Sequence, residues 1–208
     1  MMPAATRSAG APLAGARAVV IMLHGRGGTA DDILTLADLF AQSDLAYLAP
    51  QAVAGSWYPY SFLAPLERNE PALSTALATV GESLAALASR GFSAERIFLL
   101  GFSQGGCLAL EYAARHARRY AGVVGLSAGL IGPEQTPRTY QGSLAGSPIF
   151  LGCGDRDGHI PLARVRESTR VLTALGADVA ERIYAGMGHT INDEEVGHVR
   201  EMLSTQVR

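Results

Sequence analysis

The chain has 208 residues, 48% of them hydrophobic and 17% charged, which describes one compact domain and excludes a disordered or fibrous chain. Seventeen Lys and Arg against nineteen Asp and Glu leave a formal net charge of −2, too balanced for the basic field that a nucleic-acid partner requires. Cys107 and Cys153 could form at most one bridge, no stretch reaches the ~18 to 20 apolar residues of a bilayer span, and the start MMPAATRSAGAPLAGA lacks a secretory apolar core, so buried free thiols, no membrane insertion and a cytoplasmic location are expected.

Residues 1–16, rich in Ala, Gly and Pro, read as a poorly defined segment or a short edge hairpin over Ala5 to Leu13, ahead of a single domain over 17–208. AVVIMLH (18–24) is a continuous β-branched and aliphatic run, the pattern of a strand buried on both faces. Thr29 to Gln42 starts on a capping residue, carries Asp31 and Asp32 in its first turn and repeats apolar residues at helical spacing. LAYLAP (45–50) reads as a strand, a long loop follows, and Ala72 to Ser89 reads as a helix. Then come RIFLLGF (96–102), a helix from Gln104 to His116, AGVVGLS (121–127), PIFLGC (148–153), a helix near Leu162 to Leu175, DVAERIY (178–184) and a last helix over 192–203. This alternation predicts an α/β fold: a mostly parallel central sheet with helices on both faces and ligands at the carboxyl ends of the strands.

Gly101-Phe102-Ser103-Gln104-Gly105 follows a predicted strand and opens a predicted helix. That is the context of a nucleophile elbow, where a tight turn presents the serine hydroxyl above the sheet beside free helix N–H groups. A serine hydroxyl is a weak nucleophile without a base, and a base needs an orienting carboxylate. Asp157 in CGDRDGHIP, directly after the PIFLGC strand, is the preferred acid. Asp155 is expected to bond the turn backbone, although spacing alone does not separate two Asp residues two apart. His189 in GMGH is the candidate base. His159 is the serious rival, whereas His116 and His198 read as surface residues.

His24-Gly25-Arg26-Gly27-Gly28 follows the first strand, where acyl transfer needs a second oxyanion donor. The expected donors are the Arg26 and Gln104 backbone N–H groups. A phosphate loop is disfavoured, since neither GxxxxGK[ST] nor GxGxxG is present. Trp57, Tyr58, Tyr60, Phe62 and Leu63 form the densest aromatic and apolar loop. An acyl or aryl pocket is expected from Trp57, Tyr58, Phe62 and Leu63, with Leu130 and Ile131 as its other wall. No metal-ligand spacing is present, no cofactor is expected, and Cys153 reads as packed rather than reactive.

GFSQGG, GDRDGHIP, GMGH and HGRGG together resemble the α/β-hydrolase fold and, within it, the phospholipase/carboxylesterase family of bacterial carboxylesterases and acyl-protein thioesterases. The resemblance runs from about Ala18 to Leu203 and implies a domain without a cap. It implies ester or thioester hydrolysis by Ser103, Asp157 and His189, with Arg26 and Gln104 as oxyanion donors and a small-molecule ester as substrate. SWYPYSFLAPLERNEP (56–71) resembles the carboxylesterase branch more than the thioesterases. Dienelactone hydrolases share the fold but use Cys at the elbow. The expectation is a carboxylesterase for short to medium acyl or aryl esters. The alternatives are a thioesterase, a lysophospholipase or a non-catalytic binding protein of the same fold, and a homodimer is left open.

Overall fold

The computed structural model describes residues 5–206. In chain order these form β1 (Thr6–Gly10), β2 (Ala18–Leu23), α1 (Ala30–Phe40), β3 (Leu45–Pro50), α2 (Ala72–Ala88), β4 (Ile97–Phe102) and α3 (Gln104–Arg115). Next come β5 (Gly122–Leu126), β6 (Pro148–Gly154), α4 (Leu162–Ala174), β7 (Asp178–Tyr184) and α5 (Asp193–Thr205). One sheet runs in the order β1-β3-β2-β4-β5-β6-β7. Every neighbouring pair is parallel except β1 with β3.

The expected hairpin over Ala5 to Leu13 is instead one edge strand, with Thr6 opposite Pro50 and Gly10 opposite Ala46. A hairpin closed within nine residues would leave each strand very few ladder bonds, whereas the free edge of β3 pairs with all five residues of β1. Residues 1–4 lie outside the described residues.

All six residues of β2 are buried, as its unbroken apolar run requires. Val19, Ile21 and Leu23 join a core with α2, α3 and α4, while Ala18, Val20 and Met22 join a second core with α1 and α5. The sheet therefore buries both faces. Helix starts follow their sequence signals: Thr29 and Asp32 form a reciprocal capping box at α1, and Asn192 and Glu195 form one at α5.

Helix α3 has no polar face, because every residue from Gln104 to Ala114 is buried. Its one interior acid, Glu111, is 2% exposed. The carboxylate accepts from Arg115 Nε at 2.7 Å, from Ile131 N at 3.0 Å and from the Tyr140 hydroxyl at 3.0 Å. Arg138 lies 4.0 Å away and reaches on to Glu167, which also holds Arg164. Removing one member of such a buried network strands the others without partners. Glu111→Ala is expected to lower stability by about 3 to 5 kcal/mol, read as a shifted urea midpoint at unchanged m-value. A loss below about 1 kcal/mol would show that the network is solvated in solution.

Candidate active site

Four loops at the carboxyl ends of β2, β4, β6 and β7 converge on Ser103. It has φ 54° and ψ −120°, a left-handed conformation that strains a non-glycine residue by about 1 to 3 kcal/mol. The Ser103 N–H donates to Leu126 O at 2.9 Å, and its carbonyl accepts from Cys107 N at 2.9 Å. The flanking glycines are steric requirements. A Cβ on Gly101 would overlap the Gly105 backbone, and one on Gly105 would overlap the Leu23 carbonyl. The turn can therefore close only where both positions lack a side chain.

His189, in the loop between β7 and α5, places Nε2 2.8 Å from Ser103 Oγ and Nδ1 2.7 Å from Asp157 Oδ2. The Nδ1 proton is donated to the carboxylate, which leaves Nε2 to accept from the serine hydroxyl. Asp157 Oδ1 accepts from the backbone N–H groups of His159 at 2.8 Å and Ile160 at 3.0 Å. Burial opposes its charge, yet the bonds from His189, Ile160 and His159 outweigh burial and hold the carboxyl below its ordinary range. Asp155, expected to bond the turn backbone, accepts instead from Gly186 N at 2.7 Å and so ties the acid loop to the histidine loop. Of the rival histidines, His159 stands 4.8 Å from the His189 ring, His116 is exposed, and His198 lies 3.7 Å from Glu194. Cys153, expected as a packed residue at the strand end, also touches the acid: its thiol donates to Asp157 Oδ2 at 3.7 Å. Burial pushes that thiol up to about 12.

His24 is buried beneath the glycine loop. Its Nε2 accepts from Ala52 N at 3.1 Å, so the ring proton sits on Nδ1, which donates to Gly25 O at 2.8 Å. This fixes the turn that carries Arg26. Among the described residues, neither the Arg26 nor the Gln104 backbone N–H has a hydrogen-bond acceptor. The Gln104 N–H is an orphan of the first turn of α3, where the helix dipole favours negative charge.

The cavity at Ser103 encloses about 620 Å³ and is open to solvent without a cap. Of the residues expected to form an acyl pocket, Tyr58 and Phe62 line this cavity, whereas Trp57, Leu63, Leu130 and Ile131 do not. Trp57 turns inward, donating its indole N–H to His24 O at 2.9 Å and packing 5.1 Å from the His24 ring. Leu63 lines the neighbouring cavity with Pro161 and Arg164. Leu130 and Ile131 are drawn into the core because their N–H groups bond Ser168 and Glu111. The vacated wall is supplied by Tyr60, Ser61, Cys107, His159 and Ile160, together with Arg26. Cys107, fully buried in α3, has its thiol pushed up to about 12 by burial. Among the described residues, no cluster of three His, Cys, Asp or Glu could hold a metal ion, and no helix is long and apolar enough to cross a membrane.

Behind the histidine loop, Glu195 is fully buried with Oε2 accepting from Asn192 N at 2.9 Å and Oε1 unpartnered against Gly152. Burial pushes its carboxyl up from 4.5 to about 7. The folded protein thus keeps a proton that the unfolded chain sheds near 4.5, so this group's contribution to stability falls as pH rises from about 4.5 to 7 and is level above. Glu195→Gln is expected to gain melting temperature on the wild type between pH 5 and pH 8. A gap between the two proteins that does not change with pH would overturn that assignment.

The phospholipase/carboxylesterase family model matches residues 9–207. A crystal structure of a phospholipase/carboxylesterase from Dyadobacter fermentans is 44% identical, covers 96% of each chain and superposes with a TM-score of 0.92. A probable carboxylesterase of Oryza sativa is 25% identical over 95% of this chain and 92% of its own. An acyl-protein thioesterase 1 of Gibberella zeae is 34% identical over 56% of this chain and 51% of its own, so the chain spans about half the length of that relative. A family match across nearly the whole chain and a close structural counterpart agree with the sheet and its loops: this chain belongs to the phospholipase/carboxylesterase family and has the α/β-hydrolase fold.

Proposed function

We propose that the chain hydrolyses carboxylic esters of short to medium acyl or aryl groups through an acyl-enzyme formed on Ser103. The observation that carries this reading is the unbroken run from Ser103 Oγ through the His189 ring to Asp157, with contacts of 2.8 and 2.7 Å. Ser103 Oγ attacks the ester carbonyl carbon as its proton passes to His189 Nε2, and the Arg26 and Gln104 N–H groups hold the resulting oxyanion. The imidazolium, steadied by Asp157, returns the proton to the leaving oxygen as the C–O bond breaks. Water then attacks the acyl-enzyme with His189 again as base, releasing the acid and restoring the serine.

The shape of the cavity supports this acyl range. Tyr58, Phe62 and Ile160 give apolar surface, but the open mouth leaves a long chain in water. Each buried CH₂ contributes about 0.8 kcal/mol, so kcat/KM should climb up to roughly fourfold per carbon and then flatten at short to medium length. The test is a series of p-nitrophenyl esters, with a thioester and a lysophospholipid alongside, together with fluorophosphonate labelling. Labelling of the wild type but not of Ser103→Ala is expected. A wild type that takes no label would mean a binding protein of the same fold.

Trp57 supports the His24 turn rather than touching an acyl chain. Trp57→Ala should therefore lower kcat/KM for acetyl and longer esters by the same factor, about tenfold or more through misplaced loops. A loss confined to the longer esters would return Trp57 to the acyl wall.

A further inference from the structure

The two residues whose N–H groups form the proposed oxyanion hole also grip the segment that forms the acyl wall. Arg26 spreads its guanidinium over that segment: Nη1 donates to Ser56 Oγ at 3.0 Å and Pro59 O at 2.8 Å, and Nη2 to Tyr60 O at 2.6 Å. From the other side, Gln104 accepts from Trp57 N at 3.0 Å and donates to Tyr58 O at 2.8 Å. Ser56 joins the two grips, since its hydroxyl accepts from Arg26 and donates to Tyr58 O at 2.9 Å. A backbone bond from Gly27 N to Gly55 O at 2.8 Å closes the same seam.

The partners are informative. All three acceptors of the Arg26 guanidinium are neutral oxygens of one five-residue stretch, and no carboxylate pairs with it among the described residues. A planar fork with fixed N–H directions holds several carbonyls in a set geometry, which a flexible ammonium cannot reproduce. The Gln104 amide likewise uses both its acceptor and its donor ends on consecutive residues.

We infer that the Arg26 and Gln104 side chains are positioning groups that lock the acyl wall and the oxyanion hole into one rigid unit. The inference rests on the hydrolase reading above and adds a role for side chains that reading uses only through their backbone. If the Arg26 fork is lost, the HGRGG turn gains freedom relative to the wall. Its N–H then spends less time aimed at the developing oxyanion, and the loss appears in the chemical step rather than in substrate binding.

The test compares wild type, Arg26→Met, Arg26→Lys and Ser56→Ala on p-nitrophenyl acetate through octanoate. Active sites are counted by endpoint fluorophosphonate titration, and melting temperatures are measured in parallel. Arg26→Met should lower kcat per titrated site about 10- to 100-fold on every ester, acetate included, while KM stays within about threefold. Arg26→Lys should recover only part of the loss. Ser56→Ala, which removes the joint without touching either oxyanion donor, should move kcat in the same direction by a smaller factor. An unchanged kcat per site with raised KM would make Arg26 only a wall residue, and a lower melting temperature with kcat per site intact would make the clamp merely structural. Either overturns the inference alone. A wild type that neither turns over an ester nor takes up the fluorophosphonate overturns the hydrolase reading and the inference with it.

Discussion

Ser103→Ala should abolish ester turnover, with kcat falling about 10⁴- to 10⁶-fold, because the members of such a unit fail together when one is removed. The fold should survive. Alanine adds no bulk at the elbow, and the bonds that hold position 103 in place, to Leu126 O and from Cys107 N, are backbone bonds that any residue can make. A second substitution at the same position separates chemistry from conformation. Both Ser and Ala pay the penalty of φ 54°, whereas Gly does not. Ser103→Gly should be equally inactive yet more stable than Ser103→Ala by roughly 1 kcal/mol or more. Residual turnover in Ser103→Ala above about one part in 10³ would locate the nucleophile elsewhere.

Asp157→Asn should lower kcat by about 10⁴-fold with the protein still folded. The direction of the amide is dictated by the acid loop. One oxygen of Asp157 accepts from His159 N and Ile160 N, and only an oxygen can accept there, so the asparagine carbonyl must take that place. Its NH₂ then faces His189 Nδ1, which must accept. The ring proton moves to Nε2, and the nitrogen facing Ser103 can no longer take the serine proton. Asp155→Asn should be far milder, since its oxygen serves only to hold Gly186 N. A greater loss from Asp155→Asn than from Asp157→Asn would exchange their roles.

The elbow, the acid loop and the histidine loop were legible because each is a local pattern at the end of a strand that is itself legible. Gly101 and Gly105 had to be glycine for steric reasons that the sequence records directly. The residues that line the cavity were not legible in the same way. Whether an aromatic residue in a long loop faces the cavity or the backbone beneath depends on a partner far along the chain. Trp57 turned inward for the His24 carbonyl, 33 residues earlier, while Leu130 and Ile131 were claimed by Ser168 and Glu111. The N-terminal strand had the same difficulty, since its partner is β3 and not its own continuation. Nothing in the spacing of the third helix marked Glu111 as buried, because α3 is buried all round and the charge is answered from Arg115, Arg138 and Tyr140, two of them far along the chain.

The cavity also contains a better nucleophile than the one proposed to do the work. Cys107 lines it one helical turn beyond Ser103, and a thiolate outreacts a hydroxyl by a wide margin. What silences it is the absence of charge. Burial pushes its thiol up to about 12, so at neutral pH it stays protonated. Acyl transfer from Ser103 onto that sulfur would produce a buried thioester sheltered from water, a dead end for turnover. Keeping the thiol protonated closes that exit. The same burial means that alkylating and mildly oxidising reagents find almost no thiolate to attack, so the reactivity of this site is reserved for the weaker atom that has a base beside it.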